Sequence, residues 1–189
     1  MYLETARLRL REFVADDWPA VLAYQADPLY LRFYHLTEQT AAGTRDFVQM
    51  FLDHQAEQPR TKFQLALELK EDGRLVGNCG IRINDPEQRE ANIGYELASP
   101  LWGQGLMTEA AREIVRFGFE ELNTRRIWSW CVAANIGSAR VLTKIGMRQE
   151  GCLREKELIK GEWHDHLLFA ILDHEWRALQ RPAVAQPAA

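Results

Sequence analysis

The chain is predicted to be a mixed α/β fold: a mostly antiparallel central sheet of about seven strands flanked by helices. Three observations lead there. Runs of period-two hydrophobicity alternate with runs of helical spacing in the order β-α-α-β-β-β-α-β-α-β-β. The 189 residues, 47% hydrophobic and 26% charged, suffice for one buried core without disulfides or metals. One strand also runs directly into a glycine turn and a strongly amphipathic stretch.

Taken in order, Leu8 and Leu10 alternate with arginines in RLRLREF, which predicts a first strand over 7–13. Asp16 and Asp17 can cap a helix beginning near Trp18-Pro19, since proline is tolerated in a first helical turn. Phe47, Met50, Phe51 and His54 share a helical face and predict a second helix over 43–55. The intervening PLYLRFYHLTEQT is aromatic and aperiodic. KFQLALELK, the turn EDGR and LVGNCGIRIND form a hairpin, and ANIGYELA (91–98) is the fourth strand. After the glycine turn, LMTEAAREIVRFGFEEL is a helix ending at Leu122. A strand over about 126–132 precedes NIGSARVLTKIGM, a short helix stopped by Gly146. EGCLREKELI and EWHDHLLFAIL close the chain as a hairpin turning at Lys160-Gly161. Residues 1–180 are thus expected as a single domain, and RPAVAQPAA at 181–189 as a disordered Pro/Ala tail.

Composition narrows the function classes. A formal charge of −4 gives no global attraction to nucleic acid or to an anionic membrane, so neither is expected as a partner. Cys79, Cys131 and Cys152 are odd in number, widely spaced and without a C-x-x-C, as expected of reduced thiols in a cytoplasmic protein. The start, MYLETARLRLREF, has no apolar signal-like region, and no run approaches membrane-spanning length. His164 and His166 share a strand face, but no third ligand has fitting spacing, so no metal is expected.

The most informative segment is PLWGQGLMTE, 100–109. Gly103 and Gly105 permit a turn with no side chain in the way, and the turn opens onto a helix N-terminus. Free N–H groups and the positive end of the helix dipole then converge on one spot, which suits a phosphate or pyrophosphate. By itself Gly-x-Gly fits a tight strand-to-helix connection equally well. No Gly-Lys-Ser/Thr follows, which excludes a Walker loop, and Thr108 stands where a dinucleotide fingerprint needs its third glycine.

The element order, together with this loop, resembles the GNAT superfamily of acyl-CoA-dependent N-acetyltransferases. Trp102-Gly103-Gln104-Gly105-Leu106-Met107 stands at the family loop Gln/Arg-x-x-Gly-x-Gly/Ala, and its departures at Trp102 and Met107 look like the RimJ/RimL branch. TARLRLREF, LWGQGLMTEA, the run from Asn135 to Met147 and Glu150-Gly151 look like the same branch, so the resemblance spans about residues 5–172. It implies a GNAT-like sheet with a CoA cleft after the fourth strand and direct acetyl transfer from acetyl-CoA in a ternary complex. It also implies an acceptor that is the N-terminal α-amino group of a protein of the ribosomal type. The branch includes enzymes acting on antibiotics, polyamines and amino acids, so a small amine is the alternative acceptor. A non-catalytic acyl-CoA-binding protein is the second alternative, and a homodimer is compatible with the resemblance.

The site residues follow from that resemblance. Leu97, Ala98, Trp102, Gly103, Gln104, Gly105, Leu106, Met107, Thr108, Asn135 and Ser138 are expected to bind the cofactor. Trp102 cannot accept a hydrogen bond, so the loop must rely on main-chain donors. Glu157, at the position of the glutamate proposed as base in the RimL-like branch, and Glu96, in the strand feeding the loop, are the candidate bases; either fits equally a solvated strand face. Ser138 is the candidate to meet the departing thiolate, and Asn135 is either a helix cap or a pantetheine contact. Arg140 and Lys144 fit a solvated helix face better than the CoA phosphates. Among the aromatics Trp18, Tyr24, Tyr30, Phe33 and Tyr34, core packing explains most. Tyr34 and the adjacent His35 are singled out for the acceptor side.

Overall fold

The computed structural model describes residues 1–180, so the tail expected at 181–189 lies outside the described residues. The strands are β1 (Tyr2–Glu4), β2 (Leu8–Glu12), β3 (Lys62–Leu69), β4 (Leu75–Asp85), β5 (Glu90–Leu97), β6 (Arg126–Val132), β7 (Arg148–Ile159) and β8 (Glu162–Leu172). They form one sheet in the order β1-β2-β3-β4-β5-β6-β8-β7. Every neighbouring pair is antiparallel except β5 and β6. The eighth strand beyond the expected seven is β1, three residues long and too short to show a period of two. The strand expected as fourth is therefore β5, and the glycine turn follows the fifth strand.

The helices are α1 (Trp18–Gln25), α2 (Pro28–Leu31), α3 (Ala41–Ala56), α4 (Leu106–Glu120), α5 (Ile136–Lys144) and α6 (Asp173–Gln180). Asp27 caps α2 by accepting from the Leu29 N–H at 2.8 Å, which converts part of the aperiodic aromatic stretch into a single turn. The sequence reading missed α6. Its one buried anchor, Trp176, packs near Phe119 of α4, ring centroids 6.1 Å apart.

The two sheet faces carry separate cores. Leu8, Leu10, Leu65, Leu67 and Ile81 meet Ala110, Ile114 and Phe117 of α4 on one face. Phe13, Val21, Tyr24, Val48 and Phe51 pack around α1 and α3 on the other, where Phe13 and Phe51 lie 4.9 Å apart. Helix α4 owes its stability to this burial: its apolar stripe sits against the sheet, and Arg116 holds Glu113 and Glu120 on the opposite side.

The parallel seam positions the site. Strands β5 and β6 are in register only at Glu90–Arg126, Ala91–Ile127 and Asn92–Trp128. Beyond Asn92 they diverge, and the Ser129 hydroxyl donates to the Ile93 carbonyl at 3.0 Å where the fork opens.

Candidate active site

The fork leads into a cleft of about 650 Å³. Its wall runs from Tyr95, Glu96 and Leu97 at the end of β5 through the glycine turn to the first turn of α4, and returns along Asn135 to Lys144. The segment carrying α2 closes it on the other side through Tyr30, Arg32, Phe33 and Tyr34.

The glycine turn is built by backbone conformation. Gly103 and Gly105 have φ of 77° and 81°, the left-handed region that a branched side chain enters only with strain. Gly105 is the N-cap of α4, and the first helical bond within reach is Glu109 N–H to the Gly105 carbonyl. The N–H groups before it have no helical partner, and Gly103 and Gly105 to Thr108 line the cleft, a ready anion cradle. Three braces fix this shape. The Trp102 indole N–H donates to the Leu97 carbonyl at 2.8 Å, so the residue that cannot accept from a cofactor instead ties the turn to β5. Arg7 donates to the Gln104 carbonyl at 3.1 Å. Glu109 in the first turn of α4 accepts from the Thr5 hydroxyl, the Arg7 N–H at 2.8 Å and the Arg7 guanidinium at 2.9 Å. Burial pushes the Glu109 carboxyl up, but these bonds from Thr5 and Arg7 hold it below its ordinary value.

Across the cleft, Asn135 accepts from the Ser138 N–H at 3.1 Å and caps α5, while also lining the cleft. The Ser138 hydroxyl lies 2.9 Å from the Tyr95 hydroxyl, which is also 3.1 Å from the Ser138 carbonyl. Burial drives the Tyr95 phenol up, so it remains a neutral donor. With its one proton on the Ser138 carbonyl it accepts from the Ser138 hydroxyl; when it turns that proton to the serine oxygen instead, the serine proton is free to face the cleft. Arg140 and Lys144, placed on a solvated face by the sequence, line the cleft too and supply cations suited to phosphates. Cys131 is buried, and burial raises its thiol, which disfavours a nucleophilic role.

Glu96 lies on the opposite face of β5, pinned through one oxygen. Its Oε2 accepts from the Tyr24 hydroxyl at 3.1 Å, the Gln25 amide at 3.0 Å and the Asn78 amide at 2.8 Å. Asn78 is held in turn by Gln64 at 2.6 Å, and Gln64 by Arg82 at 2.7 Å. Burial first, and the Glu96 charge second, push the Tyr24 and Tyr30 phenols up and keep them protonated. Tyr30 and Tyr34 stack 4.7 Å apart beside this carboxylate.

Glu157 does not line the cleft. One oxygen lies 2.7 Å from His35 Nε2 and the other 2.8 Å from His166 Nε2. Burial pushes its carboxyl up, yet the two imidazole hydrogen bonds hold it below its usual range. His166 is stacked on Trp130, centroids 4.3 Å apart and planes 8° from parallel.

Most of the residues predicted from sequence are therefore brought together: Glu96, Leu97, Trp102, Gly103, Gly105, Leu106, Met107, Thr108, Asn135, Ser138 and Tyr34 all line one cleft. Four do not. Ala98 packs beneath the α1–α3 core, the Gln104 side chain turns back to the Pro100 carbonyl at 3.2 Å, and His35 and Glu157 are joined to each other. Of His164 and His166, one sits edge-on to Phe33 and the other is engaged by Glu157. Sequence reasoning did not find Tyr95, Arg7, Asn78 or Gln25. Alternation along β5 was the available signal for Tyr95, which must point opposite to Glu96.

Comparison with known proteins supplies the remaining findings. A model of the acetyltransferase (GNAT) domain matches residues 7–148. The N-acetyltransferase YnaD of Bacillus subtilis is 34% identical over 177 residues, 93% of this chain and 99% of that protein. The alanine N-acetyltransferase of ribosomal protein uS5 from Escherichia coli is 31% identical over 84 residues, 44% of this chain and 43% of that one. RimL, a ribosomal L7/L12 α-N-protein acetyltransferase solved with coenzyme A, shares the fold at a TM-score of 0.79 and 22% identity. That match covers 92% of this chain and 99% of the other.

Proposed function

Because the chain belongs to the GNAT acetyltransferase family, we propose that it acetylates the N-terminal α-amino group of a protein, taking the acetyl group from acetyl-CoA in one ternary complex. N-acetyl transfer itself is the chemistry of the family; the acceptor and the residue roles are our reading. The observation that carries it is one cleft lined by the glycine turn, by the Tyr95–Ser138 hydroxyl pair and by the fixed carboxylate of Glu96.

The residues present fit the cofactor. The unpartnered N–H groups at the start of α4 suit a diphosphate, and Arg140 and Lys144 suit further phosphate. Acetyl-CoA supplies an activated thioester, and the protein supplies position and charge. Main-chain N–H groups on the edge of β5 freed by the fork are the donors aimed at a developing oxyanion. Ser138, backed by Tyr95, meets the sulfur as negative charge collects there.

Glu96 receives the incoming ammonium. Three hydrogen bonds on one oxygen fix the carboxylate in place as an anchor for that cation. An α-amino group, with a reference pKa of about 7.7–8.0, reaches its neutral form more readily than lysine near 10.4. The unpaired Cys79, Cys131 and Cys152 fit work in the cytoplasm, where protein N-termini are made. No helix among the described residues is long and apolar enough to cross a membrane.

The test pairs acetyl-CoA with alanine- and serine-initiated peptides containing an internal lysine, following thiol release and locating the acetyl group by mass spectrometry. Modification of the N-terminus alone is the expected result. Modification of lysine, or turnover only with small amines such as polyamines, overturns the acceptor. Binding of acetyl-CoA with no turnover on any amine moves the protein to the non-catalytic class.

A further inference from the structure

An α-ammonium must lose a proton before its nitrogen can attack, and Glu96 already accepts three hydrogen bonds on one oxygen. Glu157 with His35 and His166 is the other titratable cluster on this side. Glu157 and His166 share the β7–β8 hairpin, nine positions apart, while His35 comes from 122 positions before Glu157. His35 follows directly on Arg32, Phe33 and Tyr34, all of which line the cleft. Its segment is fastened to the β7–β8 hairpin by Lys160, which donates to the Leu31 carbonyl at 2.8 Å, and by Phe33 against the His164 ring. The cluster therefore adjoins the Tyr34 side of the cleft, the side this reading gives to the acceptor.

We infer that His35, oriented by Glu157, is the proton acceptor for the incoming ammonium, with His166 holding the carboxylate from its other side. The inference rests on the amine-acetylation reading above. The geometry follows from hydrogen-bond inventory. In a neutral imidazole facing a carboxylate at 2.7 Å, Nε2 carries the hydrogen, so Nδ1 carries the lone pair. A carboxylate fixing the tautomer of a working imidazole is the same logic as in the serine hydrolase triad. Both carboxylate oxygens are used, so Glu157 is a positioning residue and not the base. Exposure separates the two imidazoles: the His35 side chain is 62% exposed and can release its proton to bulk water, whereas that of His166 is 8% exposed beneath Trp130.

The step balances. Through one water, the ammonium proton moves to His35 Nδ1, and the imidazolium pairs with Glu157. The freed nitrogen lone pair forms the C–N bond, the C–S bond breaks, and the second nitrogen proton leaves with the sulfur as the CoA thiol. His35 then returns its proton to solvent. The titratable and charged groups around His35 are Glu157 and His166, His164 and Lys160 on the same hairpin, and Arg32 and Tyr34 on its own segment.

The experiment uses full-length protein, acetyl-CoA and an alanine-initiated peptide. His35→Gln should lower kcat/KM about 10²-fold near pH 7 and much less at pH 9, where the amine is neutral on its own. His35→Ala should regain rate with added imidazole, a recovery that a purely structural latch would not show. His166→Gln and Glu157→Gln should give intermediate losses with a displaced acid limb. A long-range nitrogen–proton NMR spectrum of the free enzyme should show His35 with its hydrogen on Nε2, a readout that needs no acceptor. A hydrogen on Nδ1, or a His35→Gln enzyme that follows the wild-type pH profile, overturns the relay alone. Failure of every amine to turn over while acetyl-CoA binds overturns the transfer reading and the relay with it.

Discussion

The two ends of the cleft are made of different material. The end we propose for the cofactor is main chain: two left-handed glycines and a helix N-terminus. The acceptor end is side chain: Tyr24 and Gln25 from α1, Asn78 from β4, Glu96 from β5, with His35, Glu157 and His166 beyond them. Backbone geometry is written into a few contiguous residues. A side-chain cluster is assembled from distant positions: Tyr24 and Glu96 are 72 residues apart along the chain, His35 and Glu157 122. The first kind of site depends on a few contiguous residues and suits the proposed binding of acetyl-CoA. The second can be rebuilt by single substitutions and sets what each member acts on.

The largest effect should come from breaking the main-chain end. Gly105→Val places a branched side chain at φ 81°, with strain of about 1–3 kcal/mol, and shifts the cradle N–H groups. Calorimetry should show CoA affinity reduced about 10²-fold. Space within the protein is not the reason, since a Cβ there would meet only Arg7 at 3.6 Å. Undiminished affinity would put the cradle elsewhere.

Next in size is the hydroxyl pair, where the two ends meet. Ser138→Ala should lower kcat by up to about 10²-fold while leaving acetyl-CoA binding nearly intact, because the contact strengthens only as charge reaches the sulfur. Tyr95→Phe should give a smaller loss in the same direction if Tyr95 donates to Ser138. Equal rates in both variants at saturating substrates would reduce Ser138 to a helix-start residue.

On the acceptor end, Glu96→Gln should raise KM for a peptide amine roughly tenfold, the loss of one charged hydrogen bond, with CoA affinity unchanged. A change in CoA affinity instead would mean the two ends are not separable.

The smallest effect concerns pH and the brace at the glycine turn. Glu109 is held below its ordinary value of 4.5 in the fold, so its bonds to Thr5 and Arg7 stabilise at neutral pH. That contribution is full above the unfolded pKa and is lost as pH falls through the lower folded one. Thermal denaturation should therefore show the wild type more stable than Glu109→Gln at pH 7, with the gap closing toward pH 3. A gap independent of pH would assign the effect to packing.

Legibility followed the same division. The glycine turn, its helix and the Asn135 cap were readable because each is a local pattern with a local cause. Helix α6 and strand β1 were not: one rests on Trp176 finding α4, the other on pairing with β2. Both candidate glutamates were visible as residues, but their difference was not. Three neutral donors on Glu96 and two imidazoles on Glu157 come from other elements, and no spacing within β5 or β7 announces them. Trp102 was read correctly as unable to accept a hydrogen bond. Its positive use, as an indole donor to Leu97, needed the turn in three dimensions.

Arg7 reaches Gln104 across 97 positions, and that span has a temporal side. At a synthesis rate of about 5–20 residues per second, the first strand leaves the ribosome on the order of 5–20 s before the turn it must brace. The braced turn can only set once both ends of that span have been made. Until then the nascent chain has no formed site through which CoA could stabilise it. An intact, ligand-competent cleft is in this sense a report that the extreme N-terminal segment has docked, and damage at residues 5–7 would be read out a hundred residues away.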